Sequence, residues 1–529
     1  MGTVRDILSE GILGRFISKT SKSARNQYDG GGQRRRLKSW MPTQYTTNVI
    51  LSATGAVLRA RARDALRNNP HANAACESFV ANLIGTGIKP SSLLSDEADA
   101  DLRQTIMQTW LDWTDQTDAD GIAGFYGMQT IAARSIFEAG EVFIRYRNRK
   151  PDDGYVVPMQ VQLLESEMCP YWLNKQAPNG NWIMNGIELD LLGKRAAYWF
   201  YPTHPGDMPI EVQMASLDPV RIPASEVLHI FKCTRPGQMR GVPLITPALV
   251  RMFLLDQYDD AELERKRIAA MFAGFITTPT PEDVVPIDGL DTSAPQENIG
   301  LSGLEPGTMQ TLLPGEDIKF SEPADVGGTY EAYQYRQQLA IYGALGIPYS
   351  VGTSDLRRAN YSSLRGSIVE YRRKLEQFQH QIIVFQMCTP IWKRWLDTAV
   401  LAQAVPIGVR EYLADQSRYQ RAKWIPQRND WVDPLKDRQA EKLAVDAGFK
   451  SRSDVIEAEG SDPEENDLRI AADQARAERL DLVFAVHTAA ATQPLTPSEQ
   501  AEKDAKDKET ADQAAQEAED QAATEDAAA

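Results

Sequence analysis

Apolar residues recur with a steady beat late in the chain. Leu364, Ile368, Tyr371, Leu375, Phe378, Ile382 and Phe385 are spaced 4, 3, 4, 3, 4 and 3 apart. That 3.5-residue period predicts one long helix presenting a narrow stripe to a neighbour. A second helical pattern, 329–345, precedes it and ends at Gly346-Ile347-Pro348. Between the two lies a short polar stretch, Tyr349–Asn360, so the region reads as two helices joined by a charged, protruding loop.

The remaining pattern divides the chain into helical, strand-rich and then helical stretches. Asn68-Asn69-Pro70 stops one helix and caps the next, which ends at Gly85. Helices follow at about 97–116 and 126–139, the second closed by Gly140. Residues 141–147 and 156–164 alternate like strands around the turn Pro151-Asp152-Asp153-Gly154. A further strand pair, 182–189 and 196–201, flanks Gly193-Lys194, and 226–231 is a short apolar strand. A long helix spans 244–272, and a Pro/Gly-rich excursion fills 273–328. Beyond the aromatic segment with Trp424 and Trp431, helices are predicted at 435–447, 453–459 and 463–484. This is an α+β chain.

Composition changes the picture at the two ends. Nine Lys/Arg against three acids give residues 1–45 a charge of +6, a basic flexible arm that docks on a neighbouring subunit or binds nucleic acid or a partner. Residues 486–529 are Ala/Glu/Asp/Gln/Lys repetition without aromatics, predicted to be a disordered acidic tail. Over all 529 residues the net charge is −16, which argues against gripping nucleic acid over a broad surface but not against a surface past which DNA slides. No apolar run is long enough to predict a membrane span.

Chemistry is sparse. The four cysteines (Cys76, Cys169, Cys233, Cys388) lie far apart, and there is no P-loop, nucleophile elbow or His-Glu-x-x-His. His204 and His229 have no partner at ligand or triad spacing and read as packing or hydrogen-bonding residues. The acids Asp256, Asp259, Asp260, Glu262 and Glu264 lie along one helix and do not converge as a two-metal site would require. Helix–Gly–helix at 435–459 offers only Arg452 as a base or phosphate reader, too little for a DNA-reading helix-turn-helix. The expectation is a protein that is not an enzyme and uses no cofactor or metal.

Several short motifs occur together in order. They include Arg67-Asn68-Asn69-Pro70, Gly85-Thr86-Gly87-Ile88-Lys89-Pro90, Glu138-Ala139-Gly140-Glu141-Val142-Phe143 and Asn185-Gly186-Ile187-Glu188. Ala197-Tyr198-Trp199, Ile222-Pro223-Ala224, Arg235-Pro236-Gly237-Gln238-Met239-Arg240-Gly241-Val242-Pro243, Leu313-Pro314-Gly315-Glu316 and Asn360-Tyr361-Ser362-Ser363-Leu364-Arg365 follow. In this the chain resembles tailed-phage portal proteins of the lambda type, over about residues 45–470.

The resemblance implies an α+β wing (46–242), stem helices (243–272 and 329–346) and a small α/β clip (273–328). It further implies a tunnel loop (347–361), a long helix behind it (362–400) and a helical crown (401–485). It implies a ring, usually dodecameric, at one capsid vertex, through which double-stranded DNA is packaged and ejected without sequence preference. Implied partners are the terminase, major capsid and scaffold proteins, and head-completion or neck proteins, with assembly in the bacterial cytoplasm and residence in the virion.

Ser354, Asp355, Arg357 and Arg358 are the candidate DNA-facing loop residues, with intersubunit salt bridges as the alternative role for the arginines. Asp256, Asp260, Glu264 and Arg267 are the candidate channel-lining stem residues. A head scaffold or adaptor without a channel, and a metal-dependent DNA-processing enzyme, are the alternative functions.

Overall fold

The computed structural model describes residues 39, 41–94, 99–207, 218–270, 274–277, 317–320, 329–428 and 434–482. The basic arm (apart from 39 and 41–45), the acidic tail and most of the 273–328 excursion lie outside the described residues. The chain forms two compact units, Met1–Pro434 and Leu435–Ala529.

Capping residues set the first helices. Thr46 caps α1 (Thr47–Asn68), and the Asn69 side chain accepts from the N–H groups of His71 and Ala72 at 3.0 and 3.1 Å to start α2 (Pro70–Leu83). A short strand, β1 (Lys89–Ser92), leads to α3 (Ala100–Thr114) and α4 (Phe125–Ala139). Gly140, at φ 88°, ends α4 in the left-handed conformation and turns the chain into β2 (Glu141–Asn148).

β2 is the centre of a three-stranded antiparallel sheet, between β3 (Met159–Leu164) and β9 (Val227–Phe231). Between them runs a five-stranded meander: β4 (Lys175–Gln176), β5 (Trp182–Met184), β6 (Ile187–Leu189), β7 (Arg195–Phe200) and β8 (Val220–Pro223). The predicted single strand 182–189 is in fact a hairpin. Asn185 and Gly186 both adopt positive φ, 52° and 80°, as a two-residue hairpin turn requires.

Two helices follow the sheets, α5 (Thr246–Ala270) and α6 (Thr329–Leu345), with the antiparallel pair β10 (Gly274–Thr277) and β11 (Asp317–Phe320) between them in sequence. A single short helix, α7 (Tyr349–Thr353), precedes α8 (Tyr361–Phe378), which is capped by Asn360. The long helix does not continue as the apolar period predicts. Gln379–Cys388 forms a π-helix, in which hydrogen bonds close from i to i+5, before α9 (Thr389–Leu401) resumes. Each π turn takes up an extra residue and rotates the buried face. The stripe therefore holds through Ile382, whereas Phe385 is exposed and Ile383, Met387 and Cys388 are buried instead.

Two short helices, α10 (Val409–Ala414) and α11 (Gln416–Tyr419), lead to β12 (Ala422–Ile425), which pairs antiparallel with β1. This returns Trp424 to the main core. There Trp110, Trp113, Phe125, Trp392 and Trp395 form a buried aromatic cluster with neighbouring ring centroids 5.0–6.2 Å apart, and Trp424 joins it at 6.4 Å from Trp110 and Trp392.

The second unit contains α12 (Pro434–Asp446), α13 (Arg452–Ala458) and α14 (Pro463–Arg479). Ser451 and Asp462 cap the last two, and Arg452 pairs with Asp467 across them. Neither α13 nor α14 has a buried residue, and Leu443, Phe449 and Leu468 are exposed.

Two glycines meet where α4 gives way to β2. A Cβ on Gly241 would lie 2.1 Å from the Gly140 carbonyl oxygen, and one on Gly140 would lie 2.4 Å from the backbone carbon of Val242. Gly343, on α6, has open space at that position. Gly241→Ala should therefore lower stability by about 2 kcal/mol or more, while Gly343→Ala should be neutral or stabilising by up to about 1 kcal/mol. Urea denaturation midpoints of the two variants check this contrast.

Candidate nucleic-acid interface and a buried charge network

α5 and α6 run antiparallel, as their contacts dictate. Arg251 donates to Gln337 at 2.6 Å, the Tyr258 ring lies 4.8 Å from that of Tyr333, and the Tyr330 hydroxyl donates to Asp259 at 3.0 Å. Gln334 also donates to Asp259, whose carboxyl is raised above its usual range, chiefly by burial. Asp259 therefore serves the helix pair. Asp256, Asp260 and Glu264 sit at i, i+4 and i+8 on an exposed face, followed by Arg267, which pairs with Glu264. Among the described residues Asp256 and Asp260 carry no ion pair. The same helix exposes Val250, Phe253, Leu254 and Leu263.

The loop between α6 and α8 is folded back on itself. Gly346, at φ 73°, ends α6, and the Tyr342 hydroxyl donates to the Gly352 carbonyl at 3.1 Å, holding α7 against it. Ser354 takes a left-handed φ of 57° and reverses the chain. Asp355 then accepts from the Arg357 backbone N–H and Nε, both at 3.0 Å, from Arg357 Nη2 at 2.9 Å, and from the Tyr349 hydroxyl at 3.3 Å. These bonds, led by the Arg357 side chain, hold the Asp355 carboxyl well below its usual range. Arg358 lies over the Tyr335 ring, 4.3 Å from its centroid, and donates to Glu331 at 3.3 Å.

Both loop arginines are thus paired within the chain, a partnership that the loop sequence alone did not reveal. Their side chains remain 75% and 49% exposed. Ion pairs of such exposed side chains are weak, because water screens them.

Elsewhere in the same unit lies a charged network that sequence reasoning missed. Glu141, the first residue of β2, has no exposed surface, nor does Arg240. Arg240 donates to Glu141 through Nη2 at 2.6 Å and Nε at 2.9 Å, and through Nη1 to the carbonyls of Asn185 and Cys169 at 2.7 and 3.0 Å. Gly241 N–H and His229 Nε2 reach the second carboxylate oxygen at 2.7 and 2.9 Å, and the Ser166 hydroxyl donates to the first. Arg240 also lies over the Tyr171 ring at 4.0 Å.

Burial alone would raise the Glu141 pKa, but Arg240 and His229 hold it well below the usual carboxylate range. Burial lowers His229 from its ordinary value near 6.5 to about 4, so the ring is neutral and presents Nε2–H to Glu141. Every carboxylate oxygen is accounted for and none reaches solvent, so the cluster is a structural clamp. The signal available in the sequence was the pair of motifs that carry Glu141 and Arg240.

Glu165, Glu167 and His204 also converge, with ligand atoms within 4.8 Å. Arg63 bridges Glu138, Glu165 and Glu167 at 3.3, 3.0 and 2.8 Å, and Arg59 pairs with Glu167, so guanidinium groups occupy the place a cation would take.

The family described as phage portal protein, lambda family, matches residues 33–379. The chain belongs to that family. It is 27% identical to a probable portal protein of Halomonas phage phiHAP-1, covering 88% of each chain. With portal protein B of Escherichia phage lambda it shares 20% identity over 83% of this chain and 87% of the other. Among solved structures it is similar to a chain in the neck of an empty gene transfer agent particle, at 15% identity and a TM-score of 0.43, covering 80% of this chain and 96% of that one. It is likewise similar to a chain in the native particle's neck computed with twelvefold symmetry, at 14% identity, a TM-score of 0.41 and coverage of 78% and 94%.

Removing the charge of Glu141 should leave Arg240 buried and uncompensated. Glu141→Gln is expected to cost about 3–5 kcal/mol, read as a loss of folded protein or a large fall in denaturation midpoint. His229 gives a pH signature. The unfolded chain takes up a proton near pH 6.5 and the folded one only near 4, so stability should fall as pH drops through that window. His229→Gln, which keeps an N–H for Glu141, should flatten that slope in urea titrations between pH 7 and 4; an unchanged slope would assign it to other groups.

Proposed function

We propose that this protein assembles as a ring, twelve copies in the usual form of the family, at one vertex of a capsid, where DNA enters and leaves through the bore. The family match carries this reading. In it, 46–242 is the wing, 243–272 and 329–346 are the stem, 273–328 is the clip, 347–361 the tunnel loop, 362–400 the long helix and 401–485 the crown. Terminase, capsid and scaffold proteins and neck proteins are the proposed partners. The ring holds and guides DNA, and an ATP-driven partner moves it.

Physical features of the subunit support this. The exposed apolar residues Val250, Phe253, Leu254 and Leu263 on α5, and Leu443 and Phe449 in the second unit, are what a subunit covered by neighbours would carry. Repeating the acidic face of Asp256, Asp260 and Glu264 around a ring gives a wall to which phosphates do not adhere. Arg357 and Arg358, with Ser354 and Asp355 shaping their turn, are the proposed exception. Their exposed pairs with Asp355 and Glu331 can be exchanged for backbone phosphates, contacts that carry no sequence information.

Replacing Arg357 and Arg358 together with Ala should leave rings intact in negative-stain images but reduce packaged or retained DNA. Rings that fail to form would make these arginines interface residues. A strictly monomeric wild-type protein across salt conditions would remove the ring proposal itself.

A further inference from the structure

One face of β2 carries a ladder of positive charge to which, among the described residues, no carboxylate bonds directly. Val142, Ile144 and Tyr146 point into the main core, and Phe143 joins a second apolar cluster on the opposite face. Along that opposite face follow Arg145, Arg147 and, just past the strand, Arg149. The cross-strand neighbours on β3 are neutral: Arg145 faces Gln162, and Arg147 faces Gln160. Arg147 Nε donates to Gln162 at 2.9 Å and Arg149 Nε to Gln160 at 2.7 Å, while Arg145 makes no hydrogen bond or ion pair among the described residues. Gln162 passes its own amide N–H to Asp120 at 2.9 Å, so a carboxylate reaches Arg147 only through a neutral side chain.

Arg147 and Arg149 thus rest on neutral amides and Arg145 on no bonded partner, whereas Arg59, Arg63, Arg134, Arg221 and Arg240 sit on carboxylates. The proton affinity of Arg147 is lowered, first by burial and then by the like charges of Arg145 and Arg149.

Arg145 and Arg147 line a cleft of about 690 Å³. Its apolar side is the edge of the second cluster, Leu164, Met168, Phe200 and Ile222. Alternate residues of a strand stand about 6.8 Å apart, twice the roughly 3.4 Å rise. An extended peptide laid along β2 repeats its side chains at that same spacing. Two carboxylates at alternate positions would meet Arg145 and Arg147, and the next residue on that face would meet the apolar edge. Duplex DNA fits poorly, because its rigid, uniformly charged backbone offers no apolar group to that side. Of the carboxylates that also line the cleft, Glu165 is already paired with Arg63, Asp207 lies beside His204, and Asp120 accepts from Gln162.

We propose that this cleft is a docking site for an extended acidic segment of a partner protein, of the pattern acidic-x-acidic-x-apolar. The site is independent of the ring reading and involves neither the stem nor the loop.

The test uses the full-length protein and a fluorescein-labelled peptide, Ser-Glu-Ser-Glu-Ser-Phe-Ser, followed by fluorescence anisotropy. Binding should weaken as salt rises, and Arg145→Gln with Arg147→Gln should weaken it about tenfold or more, the worth of a charge-assisted hydrogen bond. If the double variant does not fold, Arg145→Gln alone, which removes no intramolecular bond, should still weaken binding severalfold. A Lys-for-Glu peptide should not bind. Equal affinity of wild-type and variant proteins would overturn the proposal. So would displacement of the peptide by inorganic phosphate or a short DNA duplex at comparable charge concentration, which would make the cleft a phosphate site.

Discussion

Glu141 is a full negative charge where no water reaches it, and much of the surrounding backbone is placed to meet that charge. The turn at Ser166, His229 on β9 and the Arg240-Gly241 turn that leads into α5 reach it at the start of β2, and the Asn185 hairpin accepts from the far side of Arg240. A buried ion pair adds little net stability over an apolar replacement, because desolvation offsets most of the attraction. Its effect here is geometric. Arg240 reaches Glu141 only if Gly241 lies against Gly140, where no side chain fits on either residue. The direction in which α5 leaves the sheets is therefore set by a charge pair.

The same strands reach the long helix. Gln386, in the π-helical segment, accepts the Phe231 N–H of β9 on its side-chain oxygen at 2.9 Å. At the other end of the segment Gln379 donates to the Leu83 carbonyl at the close of α2, at 2.7 Å. The π-helix is thus pinned at both ends by glutamine side chains. Its extra residue per turn turns α8 relative to α9, and the loop at Asn360 begins from that orientation. Clamp, β9, π-helix and loop form one continuous run of contacts.

Local chemistry was the part of the fold most legible in the sequence. Asn69-Pro70 and Gly140 placed helix ends within a residue or two, and the α6 span of 329–345 agrees with the structure. What was lost was non-local. Glu141 and Arg240 are separated by 99 positions, and neither looks different from a surface charge until they are brought together. The π-helix was hidden because its apolar residues, through Ile382, keep the period of an ordinary helix. At the candidate loop, Arg357 and Arg358 were visible as charges, but their partners were not. Glu331 lies a helix away, and Asp355 required the left-handed turn at Ser354 to face Arg357. Asn185-Gly186 is a different case, since the hairpin signal was present and alternation was read through it.

The pairing of β1 with β12 bears on how the chain comes off the ribosome. Lys89 waits for Ile425, and the aromatic cluster built on Trp110 and Trp113 waits for Trp392, Trp395 and Trp424. At roughly 5–20 residues per second, the stretch of about 310 residues from Trp113 to Trp424 takes about 15–60 s to synthesise. Until then Trp110 and Trp113, fully buried in the finished fold, have only each other and Phe125 for ring partners. Translation thus sets the clock for closing the core.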